Sequence, residues 1–169
     1  MTLVEFIQQQ VRMTLWAEPE AMAELSEEAF NWQPPGRANS IAVTLLHAFG
    51  IEDAFIQRKL LDMPTIWESG GWAAQIGVAE TPDLGNGWEV GEKRPFSRSL
   101  IMAYGQAVQA ATNSYLETLT PELLAQPMEM GGRPGTVAAL LSILVIHNVS
   151  HGGEIAALKG CLGHQGQPV

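Results

Sequence analysis

The chain has 169 residues, 46% hydrophobic and 16% charged, which suits one globular domain with a sizeable core and excludes the low-hydropathy, high-charge composition of a disordered chain. Its formal net charge of −9, from 18 acidic against 9 basic residues without a basic cluster, argues against binding nucleic-acid phosphates or an anionic membrane surface. A single cysteine, Cys161, excludes an internal disulfide framework and a cysteine-rich structural zinc site. The N-terminal Met1-Thr2-Leu3-Val4-Glu5 carries no basic leader, and no apolar run reaches the roughly 20 residues that span a bilayer. A cytoplasmic, non-membrane protein is therefore expected, with residues 1–169 forming a single domain.

In chain order, Val4, Ile7, Val11, Leu15, Met22 and Leu25 recur at helical spacing, predicting an amphipathic helix from residue 2 to about residue 25, with Pro19 as a kink. Ser26-Glu27-Glu28 reads as a short capped turn, and Pro34-Pro35-Gly36 breaks any helix into a loop. A second helix starts from an N-cap at Asn39 or Ser40 and runs through Ile41, Leu45, Leu46, Phe49, Phe55 and Ile56 to about Leu61, with His47 near its middle. Residues 62–96 are rich in Gly, Pro and Trp without a sustained period, far longer than the usual connection of about 4–6 residues. Ser97 is the expected N-cap of a third helix, striped by Ile101, Tyr104, Val108, Ala111, Tyr115 and Leu119 and stopped at Thr120-Pro121. A fourth helix begins near Thr136 and ends around Gly160 to Gly163, with Lys159 at its negative pole. Four long helices and no strand pattern predict an all-α, antiparallel four-helix bundle with one long connection between helices 2 and 3.

The chemistry concentrates on the fourth helix, where Leu140, Leu144, His147, His151, Glu154 and Leu158 follow one core stripe. Side chains four apart lie about 6 Å apart along the axis and about 40° apart in azimuth, so the His147 and His151 rings can enter the same small volume. Two imidazoles are half a site, and His47, set among apolar residues of the second helix, is the candidate third ligand. A lone buried histidine is more often a hydrogen-bonded core residue than a ligand; the stripe shared by the pair is what favours a metal here. Three neutral imidazoles suit a divalent transition metal, zinc or nickel first, with iron, manganese, cobalt and copper also open. Such an ion keeps open positions, and it can acidify a bound water or thiol or polarise a carbonyl.

Glu154, one turn past His151, is the candidate catalytic side chain. It is read first as an acceptor orienting a ring N–H, then as a general base, and otherwise as a solvent-facing residue. Gly152 and Gly153 cost about 1 kcal/mol each inside a helix relative to Ala, which suggests a close helix approach there, or else a kink. Trp67, Trp72 and Trp88 either wall a pocket over the metal or cover the apolar face of the bundle or a dimer interface. Asp83, Glu89 and Glu92 read as solvated charges, and Gly85-x-Gly87 lacks the context of a dinucleotide-binding turn. Cys161 is read as a packing residue and His164 as exposed. Asn148-Val149-Ser150 matches a glycosylation pattern that its helical setting makes a coincidence.

His147-Asn148-Val149-Ser150-His151-Gly152-Gly153-Glu154-Ile155, together with Asn39-Ser40-Ile41-Ala42 leading to Leu46-His47, resembles the DinB-like superfamily of four-helix-bundle metalloproteins. Leu25-Ser26-Glu27-Glu28 and Asn31-Trp32-Gln33-Pro34 look like that family's first connection, so the resemblance spans nearly the whole chain and is weakest over residues 62–96. It implies metal ligation by His47, His147 and His151. Gly152 stands where the family often has a basic residue or histidine, which weakens any inference about substrate contacts there. Family members with known activity are metal-dependent transferases and isomerases of low-molecular-weight thiols such as bacillithiol or mycothiol. The expected partner is therefore a small molecule, such as a thiol, used in thiol transfer or, second, in hydrolysis. A non-enzymatic metal or small-ligand binding bundle is the competing reading. The composition allows a homodimer without fixing its interface.

Overall fold

A computed structural model gives the fold and describes residues 1–14, 22–36, 38–79 and 95–166. The elements are α1 (Leu3–Met13), α2 (Glu27–Asn31), α3 (Ile41–Asp53) continuing as a π-helical segment (Ala54–Leu60), α4 (Ile66–Ser69), a second π-helical turn (Ala73–Gly77), α5 (Arg98–Leu116), α6 (Pro121–Ala125), strands β1 (Pro127–Glu129) and β2 (Pro134–Thr136), and α7 (Val137–Cys161). The fold is all-α, and its only β structure among the described residues is an antiparallel ribbon that pairs Met128 with Gly135. Strands of three residues, each containing a proline, are too short to register as a period in the sequence. Gly131 and Gly132, both at positive φ, make the turn between them.

Side-chain caps set most helix starts. Thr2 and Glu5 form a capping box on α1, Ser40 accepts from the Val43 N–H on α3, and Thr136 accepts from the Ala139 N–H on α7. Ser97 stands at the N-cap of α5 but its hydroxyl pairs with Ser99; the Glu27 carboxylate of α2 accepts from the Arg98 N–H instead, at 3.1 Å. The Arg98 guanidinium in turn donates to the carbonyls of Met22 and Leu25. α1 is shorter than its apolar pattern predicts: it ends at Met13, where the Thr14 N–H closes back onto the Val11 and Arg12 carbonyls. Pro19 lies outside the described residues.

α3 packs against α5 and α7, and α1 against α7. Every residue of α3 is buried, in keeping with its nearly unbroken apolar sequence. Two apolar clusters result. Leu45, Leu46, Phe49, Ile101, Tyr104, Val108, Ile155 and Leu158 belong to one, and Ile51, Phe55, Tyr115, Leu116, Leu140, Leu141 and Leu144 to the other. Buried polar side chains, Glu52 on α3, Thr112 on α5, and Asn148 and His151 on α7, fall where each helix passes between the clusters.

α5 approaches α3 closely at Gly105, where a Cβ would land on the Phe49 ring. At Gly153 a Cβ would meet nothing within 4 Å, whereas its neighbour Gly152 is buried. Gly163 at φ +81° terminates α7 with its N–H on the Gly160 carbonyl, and the His164 N–H bonds the Lys159 carbonyl. No helix among the described residues is long and apolar enough to cross a membrane.

Candidate metal centre

α3 and α7 bring His47, His147 and His151 together; their ligand nitrogens all lie within 4.8 Å of one another. The His147 Nε2 is 3.1 Å from the His47 Nε2 and 3.2 Å from the His151 Nε2, so His147 is the hinge of the cluster. The ring planes of His47 and His151 stand at 82° to each other, and those of His147 and His151 at 74°. The rings therefore converge by their edges and do not stack. Two nitrogens each about 2.1 Å from a shared ion would be about 3.0 Å apart at a right angle and about 3.4 Å apart at the tetrahedral angle. The observed spacings fall between these values, and the three residues fit a metal.

The outer faces of the rings carry the electrostatic logic. His151 Nδ1 meets the Glu154 Oε2 at 2.8 Å, and a carboxylate can only accept, so this nitrogen bears the proton and the His151 Nε2 lone pair faces the cluster. Burial, and the neighbouring His151 and His47, push His147 down to about 4, so it remains neutral and able to ligate at physiological pH. His47 is only 4% exposed and His151 8%.

Next to the cluster the sequence reading missed a network. Glu52, 1% exposed, accepts from the Thr112 hydroxyl at 2.6 Å and from the Asn148 Nδ2 at 3.0 Å. Burial pushes its carboxyl up, and the two hydrogen bonds oppose that shift. Asp53 accepts from the N–H groups of Ile66 and Trp67 and from the Tyr104 hydroxyl, at 2.8 to 2.9 Å, and so fastens the start of α4 to the core. The signal was present: Glu52 and Asp53 are the only charged residues in the apolar stretch 41–56, and Asn148 lies on the same helical face as Leu141, Leu144 and Ile155. At 2% exposure Asn148 is a core residue, which disposes of the glycosylation pattern.

Other expectations resolve plainly. Trp67 and Trp72 pack their rings on Tyr104, at 5.2 and 5.6 Å between centroids, and so cover the first apolar cluster; Trp88, Asp83, Glu89, Glu92, Gly85 and Gly87 lie outside the described residues. Cys161 is exposed and does not pack, because it falls on the outer face of the last turn of α7. His164 is half-buried beside Glu24, which also pairs with Lys159 at 2.7 Å. The Ser150 hydroxyl turns back to the Ile146 carbonyl on the exposed side of α7, away from the histidines.

Comparison with known proteins agrees with this fold. The DinB superfamily profile matches residues 10–155. A crystal structure of a conserved protein from Enterococcus faecalis superposes with a TM-score of 0.81 at 21% identity, covering 96% of this chain and 99% of its own. A crystal structure of a DinB-like protein from Bacillus cereus gives a TM-score of 0.64 at 15% identity, covering 98% of this chain and 96% of its own. No curated protein matches. With a family profile covering most of its length and the histidine cluster buried between α3 and α7, the chain belongs to the DinB superfamily.

Proposed function

We propose that this chain is a metal-dependent enzyme in which His47, His147 and His151 ligate one divalent ion and leave room for a small-molecule substrate. The observation that carries this reading is a cluster of three imidazole nitrogens that no fourth His, Cys, Asp or Glu joins among the described residues. Catalytic zinc centres use three protein ligands, whereas structural ones close the shell with four. Three neutral imidazoles suit zinc or nickel first. When bound, such an ion supplies Lewis acidity that favours the deprotonated form of a thiol or of water. The chain's own contribution is to hold the His147 imidazole neutral and to bring the three rings together. Glu154 is then a positioning residue that acts through His151, since its carboxylate sits on the outer nitrogen of that ring.

Thiol transfer is the reaction favoured by the family resemblance, with a low-molecular-weight thiol as donor and hydrolysis second. The supporting topology is a four-helix bundle of α1, α3, α5 and α7, with α3 and α7 antiparallel so that His47 and His147 meet at one depth. The order in which each helix meets the two apolar clusters supports this, and it makes α3 and α5 run in the same sense.

Turnover of a panel of low-molecular-weight thiols with carbon electrophiles, by zinc- and nickel-loaded protein, tests the reading. Metal-dependent loss of the thiol that disappears in His147→Ala is expected. Stoichiometric metal without turnover of any thiol, ester or amide would favour the second reading, a non-enzymatic metal or small-ligand binding bundle. The deep burial of His47 and His151 is the observation on that side.

A further inference from the structure

The His147 and His151 rings each face an acceptor with the outer nitrogen, and the two acceptors differ in kind. His151 is held directly by the half-exposed Glu154 carboxylate. The Nδ1 of His147 faces the Asn148 Oδ1 at 3.5 Å, and the Asn148 Nδ2 donates to the Glu52 Oε2 at 3.0 Å. The direction of this amide is fixed, because only its NH2 end can donate to Glu52, and its oxygen is therefore left for the His147 ring. Glu52 is held from its other side by Thr112 at 2.6 Å, so three helices clamp one carboxylate, which Asn148 links toward the cluster.

Burying a carboxylate, an amide and a hydroxyl together is costly, and well-packed apolar side chains of similar volume would serve stability at least as well. The network is better explained by where it ends. Resting on the metal reading given above, we propose that Glu52 and Asn148 are positioning residues that keep His147 with its proton on Nδ1 and its Nε2 lone pair toward the ion. Because Glu52 shares α3 with His47 while Asn148 shares α7 with His147 and His151, the same bond also fixes the spacing of the two helices that supply the ligands.

The test is zinc affinity by competition with a chromogenic chelator, together with 15N-edited NMR of the His147 Nδ1–H proton in zinc-loaded protein. Asn148→Leu and Asn148→Ala, either of which suffices if it folds, should lower affinity about 10- to 100-fold and expose that proton to rapid exchange. Glu52→Gln, whose amide oxygen still accepts from Asn148, should keep affinity within about threefold of the parent and retain the proton, as the conservative rescue expected for positioning through a hydrogen bond. Parent-like affinity and a protected proton in the folded Asn148 variants would overturn the inference and leave the metal site standing. A parent that binds no zinc would overturn both.

Discussion

On α3, Phe49 and Glu52 are three residues apart, both almost fully buried, and they do opposite things. Phe49 fills the space left by Gly105 and packs its ring edge against Tyr104, with centroids 6.4 Å apart, inside a purely apolar cluster. Glu52 occupies the junction between the clusters, where the chain spends buried polar groups on one another and on the histidines. The difference separates two parts of the same helices: apolar clusters on either side, and between them a layer whose buried polar groups reach the histidine cluster. Mutations should therefore divide into those that cost stability with the metal site intact and those that cost metal with stability nearly intact.

The largest stability loss is expected from Phe49→Ala, about 3–5 kcal/mol for emptying a buried aromatic site, with metal stoichiometry unchanged in the folded fraction. Urea unfolding with parallel metal analysis reads both quantities, and loss of metal from folded protein would break the division. Gly105→Ala forces a methyl group into the Phe49 ring and should cost about 1–3 kcal/mol in the same assay.

A pH effect from the polar layer comes next. In metal-free protein the unfolded His147 titrates near 6.5, while the folded one is held down at about 4. Above pH 6.5 neither state takes the proton, and the contribution is constant. As pH falls from about 6.5 toward 4 the unfolded chain binds a proton that the folded chain refuses, so stability falls across that window. Urea midpoints of chelator-treated protein should drop between pH 7 and pH 4.5, and the drop should shrink in His147→Asn; an unchanged slope would show that the ring is not held neutral. The smallest effect is a gain: Gly153→Ala, with open space for its methyl group, should stabilise the protein by about 0.5–1 kcal/mol and leave metal binding alone.

Local features were the legible ones. The four-residue spacing of His147 and His151 dictates convergence on any helix, and the caps at Ser40 and Thr136 mark helix starts by their own chemistry. His47 could be proposed as a partner from its apolar setting and the family resemblance, but not from register, since a register between distant helices leaves no mark in either one. The Glu52, Thr112 and Asn148 network was missed for the same reason: each is a single polar residue on an apolar face, and only packing joins positions this far apart. Gly153 was misjudged because steric need belongs to the neighbouring helix. Gly105 has a ring against it and Gly153 has none, a difference invisible in either glycine's own sequence neighbourhood.

Metal content tests the central claim most directly: elemental mass spectrometry of untagged protein purified without added metal, beside the His147→Ala/His151→Ala double variant. About one equivalent of a transition metal in the parent and little in the variant is the predicted result. A parent that stays metal-free even after reconstitution with zinc, nickel and manganese would contradict it and leave His47, His147 and His151 as core histidines of a structural bundle.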